Sequence, residues 1–263
     1  MSDSPTELVH LDIAEQIATI TLDSDRNRNA LSQQLVTELV QHLAAADADN
    51  DVRAILITSA GSVFCSGADL TQAATVGMEE GARGLVALQR QIVTAAKPVV
   101  VKLNGPVRAG GLGIVGSADI VVASESVTFA VTEVRLGLAP AVISLALLPR
   151  LNDRAAADTF LTGRTFTATE AAAIGLITRA VPDTNLDAAI DDVLVNLRKG
   201  YPQGLRETKK LLNHDLVARI DALGDQVAAQ SAALFATDEA REAMTAFLNR
   251  KQEGSRGTGS QDD

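Results

Sequence analysis

The chain has 263 residues, 46% of them hydrophobic, which suits one large domain or a domain with an appendage. Its net charge of −10 and its lack of a long Lys/Arg block remove the electrostatic footprint of a nucleic-acid binder, so an anionic ligand must be held by a few local cations or by backbone N–H groups. The single cysteine, Cys65, excludes an intrachain disulfide and a Cys-based zinc site, and the absence of Trp leaves an aliphatic core.

Met1–Thr6 carries no cationic, apolar leader pattern, and apolar runs such as Pro98–Leu103 are too short to span a bilayer. A cytoplasmic protein with no membrane partner is expected. From Leu8 to Leu22 the alternation predicts a β-hairpin turning at Ala14-Glu15-Gln16. After a polar loop, Asp23–Asn29, Leu35, Leu39, Val40 and Leu43 fall at helical spacing behind Ser32, an N-cap. Val52–Ser59 reads as a buried strand, and a helix is expected to start near Ala68, with Asp69 in its first turn. Gly77, Gly81 and Gly84 predict a mobile segment before a helix over Leu85–Ala95.

Lys97-Pro98 stops that helix, Val99–Leu103 is a strand, and the Gly-rich loop Asn104–Gly111 opens a short helix ending near Ser117. Strands follow at Asp119–Ala123 and Val127–Ala130, with Thr132-Glu133 in a turn and a helix over Ile143–Arg150. The order strand, strand, helix recurs about every 45–50 residues, which predicts a spiral of ββα units in an α/β fold. Beyond Gly163 helices are expected over Ala168–Ile174, Leu186–Arg198, Pro202–Leu216, Ile220–Phe235 and Asp238–Lys251. The resulting division is a core over 1–200, a helical region over 201–251 and a polar, Gly/Ser-rich tail over 252–263 that is expected to be disordered.

Two motif readings fail on context. Gly111-Leu112-Gly113-Ile114-Val115-Gly116 matches a dinucleotide fingerprint, but it stands too far from the strand at Val99–Leu103, and its helix is too short for a crossover. No G-x-S-x-G motif occurs, and His10, His42 and His214 lie outside the Gly-rich loops, so nothing supplies a base for Ser66, Cys65 or Ser117. The same dispersion leaves no metal site.

Two glycine-rich junctions remain, Phe64-Cys65-Ser66-Gly67-Ala68-Asp69-Leu70 and Asn104-Gly105-Pro106-Val107-Arg108-Ala109-Gly110-Gly111. Each places free backbone N–H donors where a helix begins, as anion and oxyanion sites require; either alone also reads as a tight turn. Together with Asn29-Ala30-Leu31-Ser32, Ala118-Asp119-Ile120 and Phe129–Leu138, in this order, they resemble the crotonase (enoyl-CoA hydratase/isomerase) family, from about Leu8 to Lys251. The resemblance implies a crotonase-like spiral whose C-terminal helices mediate assembly into a homotrimer or homohexamer.

It further implies that the N–H groups of Ala68 and Gly110 receive the thioester oxygen of an acyl-CoA. Arg26, Arg28, Ala30, Ser66, Gly67, Gly111, Gly113 and Pro140 would then contact the substrate, with the two arginines as phosphate partners or as ordinary solvated loop cations. The resembled hydratases carry two glutamates; here Gly113 occupies the first place and Glu133 the second. Glu133 is therefore the expected acid and base, with an ion pair to Arg135 or to an arginine elsewhere as the ordinary alternative. Glu79-Glu80 could supply a second carboxylate, against the ordinary reading of a solvated pair.

The stretch Thr132–Ser144 resembles hydratases of branched-chain or terpenoid-derived acyl-CoAs, which favours hydration of a 2-enoyl-CoA. Isomerisation of a 3-enoyl-CoA by the single Glu133, and non-catalytic acyl-CoA binding, stay open. No metal or redox cofactor is expected, since coenzyme A is part of the substrate.

Overall fold

The computed structural model describes residues 6–69 and 78–257, with 250–257 described by backbone alone. The aliphatic runs form a six-stranded sheet. β1 (Val9–Ala14) and β2 (Ile17–Leu22) make the hairpin, turning through Glu15 and Gln16, whose φ of 48° and 65° supply the left-handed pair that a tight turn needs without Asn-Gly. β2 then pairs in parallel with β3 (Ala54–Ser59), β3 with β4 (Val99–Leu103), β4 with β6 (Ile120–Ser124) and β6 with β9 (Arg179–Val181).

The central strands β3, β4 and β6 are nearly continuously apolar because both faces are covered. Ile55, Ile57, Val99 and Val101 point into the main core, with Leu35, Leu39 and Leu43 of α1 (Gln33–Ala48) and Ile92 of α2 (Met78–Thr94). Ala54, Leu56, Val100 and Val122 point the other way, where α7 (Leu186–Arg198) covers them with Leu186, Ile190 and Leu194. Ser32 caps α1 as predicted, its hydroxyl accepting from the Leu35 amide at 3.2 Å.

A second, three-stranded sheet in the order β5, β7, β8 gives the spiral its second layer: β5 (Val107–Arg108) follows β4, β7 (Thr128–Ala130) follows β6, and β8 (Phe166–Thr167) precedes α6 (Ala168–Ala173) and β9. Phe129 stacks on Phe166 across it, ring centroids 5.6 Å apart. α3 (Gly111–Ser117) follows β5, and α4 (Ser144–Leu147) and α5 (Asp153–Thr162) lie between β7 and β8.

Several expectations change. Gly81 and Gly84 lie inside α2 rather than in a mobile segment: a Cβ on either would meet open space, while Ala82, Leu88 and Ile92 on the other side are buried and hold the helix. Gly77, and most of the helix expected from Ala68, fall on 70–77, outside the described residues. The two helices expected over Pro202–Phe235 are one, α8 (Pro202–Phe235), because Val217-Ala218-Arg219 contains no breaker and Leu216 and Ile220 lie in one buried stripe.

α8 packs on the core against α2 and α4 through Ala82, Val142, Leu145, Leu216, Ile220 and Ala228. α9 (Asp238–Gly257) continues past Lys251 into the stretch read as a tail; residues 258–263 lie outside the described residues. Among the described residues no helix is long and apolar enough to cross a membrane.

Candidate active site

Two chain corners, one after β3 and one after β4, meet at one end of the parallel strands. Asn104 ties the strand ends together, accepting from the Ser59 hydroxyl at 3.0 Å and donating to the Ser59 carbonyl at 3.3 Å. Beyond it the corners run side by side: Phe64 N–H donates to the Pro106 carbonyl at 3.1 Å and Arg108 N–H to the Cys65 carbonyl at 3.0 Å. Gly105 permits that approach, since a Cβ there would stand 2.5 Å from the Ser62 carbonyl oxygen.

Each corner then turns sharply. Gly67 has φ +99° and Ala109 φ +45°, so the next amides, of Ala68 and Gly110, leave the strand direction. Among the described residues neither amide donates to a protein acceptor. A Cβ on Gly110 would lie 3.8 Å from the Ala68 nitrogen, and one on Gly67 3.7 Å from the Gly110 nitrogen, so the two unpaired donors are neighbours. Adjacent unpaired backbone donors are suited to an oxygen that gains negative charge.

β7 brings the carboxyl group to this corner. Arg108 pairs with Ala130 in the small sheet, and the Ala109 N–H donates to the Ala130 carbonyl at 3.1 Å. The Arg108 guanidinium fixes the register further, reaching the Thr128 carbonyl at 2.6 Å and its hydroxyl at 2.8 Å. Three residues beyond β7 the chain enters a 3-10 turn, Glu133–Leu136, with Glu133 at its start. One carboxylate oxygen, Oε2, is buried with no hydrogen-bond partner. Burial pushes the Glu133 pKa up to about 7, partly opposed by the N–H groups of Glu133 and Thr132. Among the described residues Glu133 forms no ion pair with Arg135, the expected alternative.

The Asn27–Ala30 segment joins the first corner. Ser66 N–H donates to the Arg28 carbonyl at 3.1 Å, the Ser66 hydroxyl to the Asn27 carbonyl at 3.2 Å, and the Leu31 N–H to the Gly67 carbonyl at 2.8 Å. Asn29, buried and in a left-handed conformation, bridges the loop to Val63, donating to its carbonyl at 2.9 Å. Arg26 and Arg28 are exposed beside this corner with no acidic partner among the described residues, and Ala30 is buried.

Gly111 and Gly113 face protein atoms: a Cβ on Gly111 would meet Cys65 Cβ at 2.7 Å, and one on Gly113 would meet Gln89 Cδ and Ile143 Cγ2 at 3.3 Å. The short α3 and these contacts account for the glycines of the rejected dinucleotide fingerprint. Pro140 is half-buried, its carbonyl accepting from Ser144 N–H at 3.0 Å. Glu79 and Glu80 are exposed in the first turn of α2, Glu79 pairing with Arg83 at 2.9 Å, which is the surface reading.

Cys65 is fully buried, its thiol pushed up to about 12, so it is no nucleophile. Gln89, which carried no role in the sequence, is a polar side chain at 0% exposure on the buried face of α2. Its signal was a glutamine directly after Leu88 in the apolar stripe of that helix. Among the described residues no group of three His, Cys, Asp or Glu side chains could hold a metal ion.

Comparison with known proteins agrees with this geometry. The family profile described as enoyl-CoA hydratase/isomerase matches residues 12–255. A crystal structure of an enoyl-CoA hydratase from Mycobacterium avium superposes with a TM-score of 0.87 at 45% identity, covering 93% of this chain and 97% of that one. A Thermus thermophilus protein provisionally named an enoyl-CoA hydratase is 36% identical over 202 residues, 74% of this chain and 80% of its own. Enoyl-CoA delta isomerase 2 of Rattus norvegicus is 30% identical over 242 residues, 89% of this chain and 62% of its own. The chain belongs to the enoyl-CoA hydratase/isomerase family.

Proposed function

We propose that this protein is an enoyl-CoA hydratase that adds water reversibly across the double bond of a 2-enoyl-CoA. The observation that carries the reading is one carboxyl, Glu133, with a buried unpartnered oxygen and a pKa near neutrality, three residues beyond the strand whose pairing with β5 leads into the unpaired Gly110 amide. The Ala68 and Gly110 N–H groups receive the thioester oxygen. The Glu133 carboxylate takes a proton from water as its oxygen bonds to C3. The π electrons move through C2 onto the thioester oxygen, where the two amides hold the charge. Glu133 then returns the proton to C2, on the same face, and the thioester carbonyl re-forms.

A preorganised donor of this kind contributes about 3 kcal/mol to the transition state. A pKa of about 7 suits a group that must both accept and return a proton. No metal or redox group takes part, and coenzyme A enters as part of the substrate. Arg26 and Arg28, exposed beside Ser66, are the candidate partners of its phosphates. Ala30, Ser66, Gly67, Gly111, Gly113 and Pro140 complete the proposed substrate contacts. The working compartment is the cytoplasm, and the assembly is a homotrimer or homohexamer, supported by Leu211 and Leu212 of α8, which stand 80% and 75% exposed.

Crotonyl-CoA tests the reading. Wild-type protein is expected to bleach its conjugated absorbance, and Glu133→Gln to slow that by about 10²–10⁴-fold. If no 2-enoyl thioester, short, long or branched, is bleached, hydration is refuted. A second reading, isomerisation of a 3-enoyl-CoA, is favoured by the glycine at 113, which leaves Glu133 as the one matched glutamate; its sign is a gain of conjugated absorbance from a 3-enoyl-CoA. If Glu133→Gln alters no measured property, the chain is instead a non-catalytic acyl-CoA binder.

A further inference from the structure

Leu85 and Gln89 stand four residues apart on α2 and so share one face, which lies along α3. A Cβ on Gly110 would meet Leu85 Cδ2 at 3.5 Å, and one on Gly113 would meet Gln89 Cδ at 3.3 Å. Gln89 therefore packs closely over Gly113, one helical turn from the Gly110 amide. Its orientation is fixed: Nε2 donates to the Leu85 carbonyl at 3.3 Å and to the Val142 carbonyl at 3.2 Å, and carbonyls can only accept.

That leaves Oε1 pointing away from both. Gln89 is fully buried, and Oε1 has no hydrogen-bond partner. An unpaired buried acceptor costs about 1–3 kcal/mol, a cost that an apolar side chain of the same length would not carry. Among the described residues only one other buried side-chain oxygen lacks a partner, Oε2 of Glu133; the remaining two such atoms are arginine Nε donors. One segment runs from Glu133 to Val142, whose carbonyl accepts from Gln89 Nε2, and to Ile143, which lines the space beside Gly113. Two acceptors each lacking one donor match a molecule with two O–H groups.

We propose that Gln89 is the second anchor of the attacking water, its Oε1 accepting one O–H while Glu133 takes the other proton. The inference rests on the hydratase reading above. Gln89 gains and loses no proton; it points the water oxygen at C3. The polar group that α3 cannot supply at Gly113 comes from α2 instead.

The test compares two reactions of one active site. Hydration of crotonyl-CoA needs an attacking water. Exchange of the C2 protons of butyryl-CoA with D2O, followed by NMR, needs only Glu133 and the two amides. Gln89→Met, which keeps length but removes the acceptor, is expected to lower kcat for hydration about 100-fold, as misplacement of a reactant does. KM and the exchange rate are expected to stay within about threefold. Gln89→Glu, which keeps an acceptor there, is expected to recover hydration to within about tenfold of wild type.

Hydration by Gln89→Met at the wild-type rate, or equal loss of hydration and exchange, overturns the assignment; equal loss would mean that Gln89 only braces α2 against Val142. Wild type that exchanges C2 protons but hydrates nothing overturns the hydratase reading, and this one with it. Should Gln89→Met fail to fold, Gln89→Asn, which withdraws the amide by one methylene, gives the same contrast between the two reactions.

Discussion

Two sets of buried polar groups in this protein are built on opposite principles. Where α8 docks on the sheet, the Lys209 ammonium lies 2.8 Å from Asp119 Oδ2 and donates to the Ile92 and Lys97 carbonyls at 2.8 and 3.0 Å. Asp119 in turn accepts from Val99 N–H at 2.7 Å and from the Asn213 side chain at 2.9 Å. All three ammonium protons and both carboxylate oxygens are used. Burial pulls the Lys209 pKa down and Asp119 opposes it, so the charge survives only because it is fully paired. Glu133, in the turn after β7, and Gln89, on the buried face of α2, each keep one buried oxygen idle. A saturated cluster has nothing left to offer a substrate; an unsaturated one stores an unmet interaction that a substrate can complete.

Asp119→Ala should produce the largest effect on stability. It strands the buried ammonium and should cost about 3–5 kcal/mol in urea unfolding. The joint replacement Asp119→Leu with Lys209→Met should recover most of that. A single-variant cost below about 1 kcal/mol would mean that the cluster is not a clasp.

Glu133→Gln should behave in the opposite way, slowing catalysis by about 10²–10⁴-fold while changing how stability depends on pH. With a folded pKa of about 7 against an ordinary 4.5, the folded state binds the extra proton between those values. Wild-type stability should therefore fall as pH rises through that window, by roughly 1–3 kcal/mol, and the variant should lack this fall. For the same reason kcat/KM for hydration should rise with pH to a plateau above about 7.

Ala109→Gly sharpens the comparison from the backbone side. It removes the cost of a left-handed alanine at φ +45° but loosens the unfolded chain, so stability should change by less than about 1 kcal/mol, with the Gly110 amide and hydration retained. The smallest effect is expected at Arg26→Ala and Arg28→Ala. Each should raise KM a few-fold and flatten its salt dependence, with kcat unchanged, since an exposed ionic contact contributes about 0.2–1 kcal/mol.

Much of this layout could be read from residue order. The parallel strands announce themselves as VRAILITS and VVVKL, and Ser32 marks its helix start, because those signals are local. α5 went unread although Asn152 caps it, accepting from Ala155 N–H at 2.9 Å, and Gly163 ends it at φ +60°. Its Ala-rich sequence buries only Ala156 and Thr159, which leaves almost no periodic stripe to find. The break assigned within α8 failed for the opposite reason, since tertiary packing at Lys209, Asn213, Leu216 and Ile220 decides that helix, not its termini.

In the site, Gly67 forecasts a left-handed turn, but Ala109 does not, because the strain it carries is imposed by the pairing of Arg108 with Ala130. Gln89 was invisible for a similar reason. Only the packing of α2 against α3 reveals that it lies closely over Gly113.

The account turns on the Ala68 and Gly110 amides serving one oxygen atom, and a crystal structure with an acyl-CoA thioester bound tests that most directly. The thioester oxygen is expected within about 2.7–3.1 Å of both nitrogens, with C2 facing the Glu133 carboxyl. A thioester oxygen bound to only one of the two amides, or held elsewhere with Glu133 remote from C2, would contradict it.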